Sequence, residues 1–479
     1  MYFKHFYDQG LAQGSFMVGC QAKGEAVVVD PRRDVQVYLD CAVAEALRIV
    51  AVTDTHIHAD YLSGARELAH AAGARLYLSD EGGPEWQYAY EHVGLEHGSI
   101  IKVGNVELKA LHTPGHTPEH MSFLVTDTAR TTLPSHLLSG DFVFVGDVGR
   151  PDLLDAVAGG EDTRFIGARQ LFASLRDEFL TLPDHVQVWP GHGAGSACGK
   201  ALGAVASTTV GYERLTAWWA DYLAAGDEAS FTVALLEGQP AAPTYFGRMK
   251  RVNRDGPALL ADRAPLREFS AEELRGRVNR DLVLLDTRSV RDQWAASVPG
   301  ALAVPGGNSF ATYAAWVIDP DSERRPLVVV AANGEHAASL RDRLSYTGID
   351  DVVGYVTSLT GLDLQPLPLV TPSELAALRG GARAGVEVLD VREASEHLAG
   401  HIPGARQLAA SRLLANSHEL PRGGTLVMHC QGGGRSAVVA SALRNRGFAN
   451  IVELAGSYDG WSSYLASESA NNPARVEPK

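Results

Sequence analysis

An internal repeat in the second half of the chain restricts its fold more than any other feature of the sequence. LVLLDTRSVRDQWAASVPGALAVP at 282–305 aligns without a gap with VEVLDVREASEHLAGHIPGARQLA at 386–409. Each copy continues into a second apolar strand, PLVVVAA or TLVMHC, and then into a helical pattern. Regular alternation of strands and helices is typical of parallel sheets. The repeat therefore predicts two α/β modules with central parallel sheets.

Proline content and composition set the predicted domain boundaries. Before the repeat, short apolar strands run into Gly-rich and polar loops, with few helices. The prolines of QPLPLVTP, at 365–372, interrupt regular structure between the two copies. The predicted parts are a first domain at 1–240, a basic linker at 241–262, modules at 263–365 and 371–466, and a polar tail at 467–479.

Length and charge exclude several classes of protein. The chain has 479 residues, enough for about three domains, and a formal net charge of -15. This charge argues against nucleic acid, whose binding depends on neutralising phosphates. The four cysteines do not make a disulfide framework, and the first residues lack the apolar core of a signal peptide. No apolar run approaches the ~18 residues of a membrane span. We therefore expect a cytoplasmic protein without a nucleic-acid or membrane partner.

Four segments rich in histidine and aspartate lie in the first domain, each where a predicted strand runs into a loop. They are THIHADY at 55–61, HTPGHTPEH at 112–120, SGDFVFVGDVGRPDL at 139–153 and WPGHGAGSACGK at 189–200. One His-x-His pair is weak evidence, but four such segments in this order indicate a metal site. The set resembles the metallo-β-lactamase fold superfamily, which implies an αββα sandwich for residues 1–240.

The resemblance also implies where metal ions would bind. Two-metal members of that superfamily hold their first ion with three histidines, which match His56, His58 and His112. Their second ion uses the residues that match Asp60, the residue after it and His192, with Asp141 as the bridge. Here Tyr61 stands where those members have a histidine, and a phenol with a pKa near ~10 is a poor ligand. The pattern therefore favours one ion.

Two histidines and one carboxylate suffice for a single ion, and the candidates are His56, His112 and Asp141. Such a facial triad leaves positions open and suits non-haem Fe(II) that binds both O2 and a substrate. Persulfide dioxygenases resemble this domain and hold one iron with the matching residues, so we expect one Fe(II) per chain, with zinc as the alternative. The remaining candidates either orient ligands and substrate or bind metal directly, and they are His58, Asp60, Tyr61 and His192. We interpret His116 and His120 as turn and core residues.

Three further features each have a structural and a functional interpretation. Cys198, soon after the last metal segment, is either a small buried apolar residue or the carrier of a thiol or persulfide. Arg150, with Asp152, either shapes the mouth of a substrate site or forms a surface ion pair. Arg248 and Lys250, in the basic stretch TYFGRMKRVNRDG, either belong to a solvated helix face or bind the anionic groups of a thiol cofactor.

A cysteine loop follows the second strand of the last module. The sequence HCQGGGRSAVV forms a C-x4-R loop that opens a helix, with Cys430, Gly432, Gly433, Gly434 and Arg435. Glycines let successive backbone N–H groups turn inward, so that the loop stabilises a thiolate and an anion carried on its sulfur. The segment resembles rhodanese sulfurtransferases, in which the matching cysteine and arginine act in catalysis. The middle module has AANGEH instead, and we expect it to act in spacing, docking or contact within a homo-oligomer.

Over nearly its full length the chain resembles fused persulfide dioxygenase–sulfurtransferase proteins of bacterial sulfide detoxification. The resemblance implies that the first domain uses O2 to oxidise the persulfide of glutathione, coenzyme A or cysteine to sulfite. Cys430 would carry a sulfane sulfur as a persulfide and pass it to sulfite, giving thiosulfate. The alternative is a glyoxalase II-like thioester hydrolase fused to a rhodanese. Tyr61 and the attached sulfurtransferase argue against that alternative.

Overall fold

Two compact units make up the chain in the computed structural model, which describes residues 1–153, 163–200, 202–260, 263–380 and 385–471. The first unit comprises Met1–Arg263 together with the short segment Ser345–Gly348. The second comprises Ala264–Leu344 and Ile349–Lys479. Most of the predicted polar tail lies outside the described residues. Within the described ranges, no helix combines the length and the apolar character needed to cross a lipid bilayer.

Two six-stranded sheets form the first unit. In spatial order, the first sheet contains β1 (Tyr2–Asp8), β2 (Gln13–Cys20), β3 (Glu25–Val29), β4 (Arg48–Thr53), β5 (Arg75–Ser79) and β6 (Val93–Leu95). The second sheet contains β7 (Ile100–Val103), β8 (Val106–His112), β9 (Met121–Asp127), β10 (His136–Gly140), β11 (Gln187–Pro190) and β12 (Thr208–Thr209). Strands β3 to β6 are parallel, and so are β10 and β11 in the otherwise antiparallel second sheet.

Apolar residues hold these sheets in a four-layer sandwich. One core contains residues of both sheets, among them Phe16, Val27, Leu108 and Phe123. Two helices pack on the first sheet, α1 (Gln36–Ala44) and α2 (Ala65–Ala72). Four helices pack on the second sheet, α3 (Thr163–Ser174), α4 (Val210–Thr216), α5 (Ala220–Ala225) and α6 (Glu228–Leu236). Because each sheet buries both faces, the order helix, sheet, sheet, helix is stable, and the αββα prediction is confirmed.

The predicted basic linker contains a helix, α7 (Phe246–Asp255), that belongs to the first unit. One side of the helix buries Phe246, Met249, Lys250 and Asn253. These positions recur at the three- and four-residue spacing that places side chains on one helix face. The segment is therefore a packed part of the first unit and not a solvated connection.

The second unit contains two five-stranded parallel sheets with the same strand order. In spatial order, one contains β13 (Arg267–Glu268), β17 (Val352–Val356), β16 (Leu327–Val330), β14 (Val283–Asp286) and β15 (Leu302–Ala303). The other contains β18 (Leu369–Val370), β22 (Ile451–Leu454), β21 (Thr425–His429), β19 (Val386–Asp390) and β20 (Arg406–Gln407). The shared order confirms the prediction of parallel α/β modules from the sequence repeat.

Helices connect the strands of each parallel sheet, as parallel pairing requires. The first sheet is accompanied by α8 (Ala271–Leu274), α9 (Val290–Ala295), α10 (Phe310–Val317) and α11 (Gly334–Ser345). The second is accompanied by α12 (Pro372–Gly380), α13 (Ala394–Ala399), α14 (Ala410–Leu413), α15 (Gly434–Asn445) and α16 (Ser457–Asn471). Helix α15 begins at the cysteine loop that follows β21.

Candidate metal centre and cysteine site

Three loops of the first unit bring His56, His116 and Asp141 together. Their donor atoms all lie within 4.8 Å of one another, and all three residues are buried. His56 follows β4, His116 lies between β8 and β9, and Asp141 directly follows β10. Two histidines and a carboxylate in this arrangement can hold a divalent metal ion and leave coordination positions free for a substrate.

His112 does not lie in this group, so the predicted triad is corrected. His112 is the last residue of β8, and its Nε2 donates a hydrogen bond to the Pro118 carbonyl oxygen at 2.8 Å. Its side chain is 24% exposed, and Glu81 is the carboxylate that lies 3.9 Å from its Nδ1. His116, interpreted from sequence as a turn residue, takes the place expected for His112.

Hydrogen bonds hold both histidines of the group with one ring nitrogen free. Nδ1 of His116 donates to the Arg150 carbonyl oxygen at 3.0 Å, which leaves Nε2 3.5 Å from Asp141. Nδ1 of His56 lies 3.0 Å from the Thr55 hydroxyl, which itself donates to Asp30. Burial lowers the pKa of His116, and burial together with neighbouring histidines holds the pKa of His56 well below its ordinary value. Both rings are therefore neutral, the form that binds metal.

The carboxylate of Asp141 indicates a cation site. Both of its carboxylate oxygens are buried and lack a hydrogen-bond partner among the described residues. An uncompensated buried carboxylate is costly, and metal coordination is one of the ways in which proteins offset that cost. The donor set around Asp141 therefore fits a metal ion.

A second buried group lies beside the first and contains Asp60, His192 and Cys198. Because β10 and β11 are parallel, the loops that carry Asp141 and His192 leave the sheet at the same edge. Nε2 of His192 lies 3.4 Å from Asp60 and 3.6 Å from Asp141, while its Nδ1 donates to the Ala12 carbonyl oxygen. Burial, and then the charges of Asp141 and Asp60, raise the pKa of Cys198 well above its ordinary value. Without a cation nearby, Cys198 is a protonated thiol.

His58 and Tyr61 face a different group of residues. Nε2 of His58 lies 3.2 Å from Asp30 and 3.2 Å from the Tyr61 hydroxyl, which also donates to the Asp30 carbonyl oxygen. Burial alone would lower the pKa of His58, but the adjacent carboxylate of Asp30 raises it to about 9. His58 therefore groups with Asp30 and Asp54, and not with Asp141.

The predicted substrate residues are more buried than a solvated surface would allow. Arg150 is 1% exposed, forms a two-point ion pair with Asp152, and donates to the Ala197 carbonyl oxygen at 2.9 Å. The interpretation as a surface ion pair is therefore wrong. Lys250 is also buried, and its Nζ lies 3.4 Å above the centre of the Trp86 ring. Arg248, which is part-buried, donates to the Thr347 carbonyl oxygen. An anion-binding role for Arg248 and Lys250 stays a prediction.

The cysteine site lies in the second unit at the start of α15. Sγ of Cys430 accepts a hydrogen bond from the Gly433 backbone N–H at 3.1 Å, and the Ser436 hydroxyl lies 3.7 Å away. Gly433 has φ of 104°, a conformation that a side chain would strain. Arg435 forms a two-point ion pair with Glu396, at 2.6 and 2.8 Å. The loop thus directs one backbone N–H, that of Gly433, at the sulfur.

Sequence reasoning missed two residues that support these sites. The Asn253 side chain donates to the carbonyl oxygens of His58 and Tyr61 at 2.8 Å, and it accepts from the Ser63 backbone N–H at 2.9 Å. Glu119 accepts from the Ile57 backbone N–H at 2.7 Å. Glu119 lies within HTPGHTPEH and could have been found as a carboxylate among the metal segments. Asn253 lies in the basic stretch TYFGRMKRVNRDG, for which only a solvated face or an anion-binding role was considered.

Two family models match the chain. The metallo-beta-lactamase superfamily matches residues 13–192, and the rhodanese-like domain matches residues 371–464. A hydroxyacylglutathione hydrolase of Polaromonas sp. (strain JS666 / ATCC BAA-500) is 32% identical over 179 residues, which are 37% of this chain and 61% of the relative. The mitochondrial persulfide dioxygenase ETHE1 of Homo sapiens is 26% identical over 184 residues, which are 37% of this chain and 63% of the relative. The chain thus spans less than two thirds of the length of either relative.

A solved structure is similar over a longer part of the chain. The metallo-beta-lactamase from Staphylococcus aureus subsp. aureus COL is 37% identical with a TM-score of 0.65, over 74% of this chain and 98% of that one. With these matches and the two-unit fold, the chain belongs to the metallo-beta-lactamase superfamily and carries a rhodanese-like domain after its metallo-beta-lactamase domain.

Proposed function

We propose that the chain is a non-haem Fe(II) persulfide dioxygenase coupled to a sulfurtransferase. The observation that carries this proposal is the buried group of His56, His116 and Asp141, with both oxygens of Asp141 unpartnered among the described residues. The similarity to persulfide dioxygenase ETHE1 and the cysteine loop around Cys430 support the same reaction sequence. The substrate would be a low-molecular-weight persulfide of glutathione, coenzyme A or cysteine.

The overall oxidation is RSSH + O2 + H2O → RSH + sulfite + 2 H⁺. The outer sulfur loses four electrons, O2 accepts them, and the S–S bond breaks so that the thiol leaves. A ferrous ion held by His56, His116 and Asp141 would supply the one-electron chemistry that lets O2 react with a sulfur anion.

The protein's own residues would prepare this site. Nδ1 of His116 is held by the Arg150 carbonyl oxygen and Nδ1 of His192 by the Ala12 carbonyl oxygen, so both Nε2 atoms face Asp141. Asp60, 3.4 Å from Nε2 of His192, would accept one of the two protons that the reaction releases. Cys198 lies beside Asp60 and His192, close enough to the metal centre to bind a substrate thiol or its sulfur covalently.

The second step would take place at Cys430. In the direction that forms thiosulfate, sulfite attacks the outer sulfur of a Cys430 persulfide and a new S–S bond forms. The S–S bond to the enzyme breaks, and its electron pair stays on the Cys430 sulfur. The products are thiosulfate and the Cys430 thiolate, with the total charge unchanged. The Gly433 N–H, 3.1 Å from Sγ, would stabilise the thiolate that leaves.

A thioester hydrolase is the second candidate because the hydroxyacylglutathione hydrolase relative has the higher identity. Zinc in the same donor set would activate water for such a reaction. The group of Asp60 and His192 beside Asp141 would then hold a second ion. Cys430 would have no role in thioester hydrolysis, and this is why we place the hydrolase second.

Oxygen uptake separates the two candidates. Full-length protein loaded anaerobically with Fe(II) is mixed with glutathione persulfide, and O2 consumption, sulfite and thiosulfate are measured. We expect His116→Ala to abolish O2 uptake and His112→Ala to retain it, because His116, and not His112, lies in the group with His56 and Asp141. The two variants make the same change four positions apart, so each controls for the other.

Two results would reject the dioxygenase. One is the absence of uptake by the Fe(II)-loaded wild type with glutathione, coenzyme A and cysteine persulfides. The other is zinc-dependent cleavage of a glutathione thioester that His116→Ala abolishes. Uptake that His112→Ala abolishes and His116→Ala retains would instead reject the ligand set.

A further inference from the structure

The module without a cysteine contributes aromatic side chains to the wall of the Cys430 loop. This middle module, 263–365, lies in the same compact unit as the loop. Its Trp294 and Tyr313 are the residues concerned, from α9 and α10. Neither belongs to a pattern that the sequence analysis had assigned a function.

Trp294 packs directly on Gly433. A Cβ atom on Gly433 would lie 3.1 Å from two carbons of the Trp294 indole ring, closer than side chains normally approach. The indole is itself held in place, since its Nε1 donates to the buried carboxylate of Glu453 at 3.1 Å. Arg444 pairs with the other oxygen of Glu453 at 3.2 Å. Trp294 therefore restricts the backbone of the residue whose N–H points at the Cys430 sulfur.

Tyr313 lies next to the charged part of the same loop. A Cβ atom on Gly434 would be 3.7 Å from the Tyr313 ring and 4.0 Å from its hydroxyl. Burial raises the pKa of the Tyr313 hydroxyl, and the nearby Arg435 guanidinium opposes that rise. A neutral phenol beside a sulfur site can donate a hydrogen bond but carries no charge of its own.

Side chains of α15 form hydrogen bonds with the backbone of the middle module. The Ala303 N–H donates to the Ser441 hydroxyl at 3.0 Å, and the Asn445 side chain donates to the Gly300 carbonyl oxygen at 2.9 Å. Ala442 belongs to the apolar core of the middle module. Helix α15, which begins at the cysteine loop, is thus fixed against the middle module along its length.

We propose that the middle module completes the sulfurtransferase site, with Tyr313 donating a hydrogen bond to the sulfonate oxygens of thiosulfate or sulfite over Cys430. Trp294 is a positioning residue, which keeps the Gly433 N–H directed at Sγ. This inference rests on the proposed sulfur transfer and assigns the middle module a direct part in it. The middle module has no cysteine nucleophile, but its aromatic side chains line the Cys430 site.

The pairing of Arg435 explains why a further donor is needed. Both terminal nitrogens of Arg435 are bound to Glu396, which offsets the positive charge that an oxyanion would otherwise meet. A sulfonate has three oxygens, and a neutral donor at the rim can satisfy one without adding charge. Tyr313 is the hydroxyl that the middle module places there.

The test uses full-length protein and two sulfur donors. With thiosulfate as the donor, the Cys430 thiolate attacks the outer sulfur and a new S–S bond forms on the enzyme. Sulfite leaves with the electron pair of the broken S–S bond. Cyanide then accepts the outer sulfur of the Cys430 persulfide. We expect Tyr313→Phe to raise the KM for thiosulfate roughly 10-fold, the effect of one hydrogen bond to a charged group. Glutathione persulfide has no sulfonate, and its KM should change by less than about 2-fold.

A matched control comes from the same module. Tyr355 donates to Glu268 and lies against Gly334, both residues of the middle module, so Tyr355→Phe should leave both KM values unchanged. Trp294→Phe should lower kcat with both donors, because the sulfur then loses a fixed N–H donor.

The outcomes separate the inference from the function on which it rests. An active wild type whose Tyr313→Phe variant has unchanged kinetics with thiosulfate would overturn the role of Tyr313. An equal rise in KM for both donors would overturn it as well, since that pattern reports general disturbance of the loop. A wild type that transfers sulfur from neither donor would reject the sulfurtransferase itself.

Discussion

Nδ1 of His116 donates a hydrogen bond to the backbone oxygen of Arg150 at 3.0 Å, while the Arg150 side chain donates to the backbone oxygen of Ala197. The backbone of Arg150 thus holds the ring of His116, a candidate metal ligand. Its guanidinium holds the loop that contains Cys198. The guanidinium is almost fully buried and paired with Asp152. Two of the loops that form the candidate metal centre are therefore joined through Arg150.

Replacing Arg150 should weaken both folding and metal binding. Arg150→Ala leaves Asp152 and the Ala197 carbonyl oxygen without their partner, so we expect the free energy of unfolding to fall by about 3 kcal/mol. Metal affinity should fall about 10-fold or more, because the segment that orients His116 loosens. Urea unfolding and metal content after dialysis measure the two effects. Arg176→Ala, which breaks an exposed ion pair with Asp177, should leave stability unchanged.

The side chain of Asn253 should stabilise the loop after β4 through its three hydrogen bonds. Asn253→Ala removes the bonds to His58, Tyr61 and Ser63, and the expected loss of unfolding free energy is about 2–4 kcal/mol. Differential scanning calorimetry of the metal-free protein measures this loss. The neighbouring change Arg254→Ala removes only a local pair with Asp255 and should be nearly neutral. Equal effects of the two substitutions would contradict the role of the amide.

Asp390 should make the stability of the second unit depend on pH in strongly acidic solution. Burial alone would raise the pKa of Asp390, but the Arg392 guanidinium, together with His429 and His397, lowers it from 3.8 to about 2. The unfolded chain then takes up this proton first as the pH falls. The stabilisation is complete above 3.8 and is lost as the pH falls towards 2. The urea midpoint of unfolding is measured at a series of pH values. Its fall between pH 3.8 and 2 should be smaller in Asp390→Asn and unchanged in the surface variant Glu272→Gln.

Cys198 should resist alkylation in the native, metal-free protein. Burial and the charges of Asp141 and Asp60 raise its pKa, and the thiol, unlike the thiolate, is a poor nucleophile. We expect iodoacetamide at pH 8 to label Cys198 only after denaturation, with peptide mass spectrometry as the readout. Asp60→Asn should increase the rate of labelling because it removes one negative charge. Rapid labelling of the native wild type would contradict this account.

The sequence repeat was enough to predict the parallel modules, since strand order in both sheets follows from the same succession of strands and helices. The four metal segments likewise indicated which loops would meet. What they did not decide was which histidine of HTPGHTPEH points inwards. His112 ends a strand and His116 lies in the loop beyond it, and only the path of that loop selects between them.

Long-range contacts were also beyond the reach of sequence patterns. Asn253 and Ser63 are 190 residues apart, and a single asparagine in a basic stretch gives no sign of such a partner. The burial of Lys250 had the same origin. The basic stretch left open a solvated helix face or an anion-binding site, whereas Lys250 packs over the Trp86 ring. In both cases tertiary packing overrode the local pattern.

The membership of Ser345–Gly348 in the first unit bears on how the two candidate sites can be studied separately. The Leu62 N–H donates to the Tyr346 carbonyl oxygen at 2.7 Å, and Arg33 donates to the Ser345 carbonyl oxygen at 3.0 Å. A fragment that ends at 240 would lose α7 and Asn253, and one that ends at 260 would still lack these two acceptors. The first unit is therefore not a contiguous stretch of the chain. Point substitutions will test the two candidate sites more cleanly than truncation or limited proteolysis.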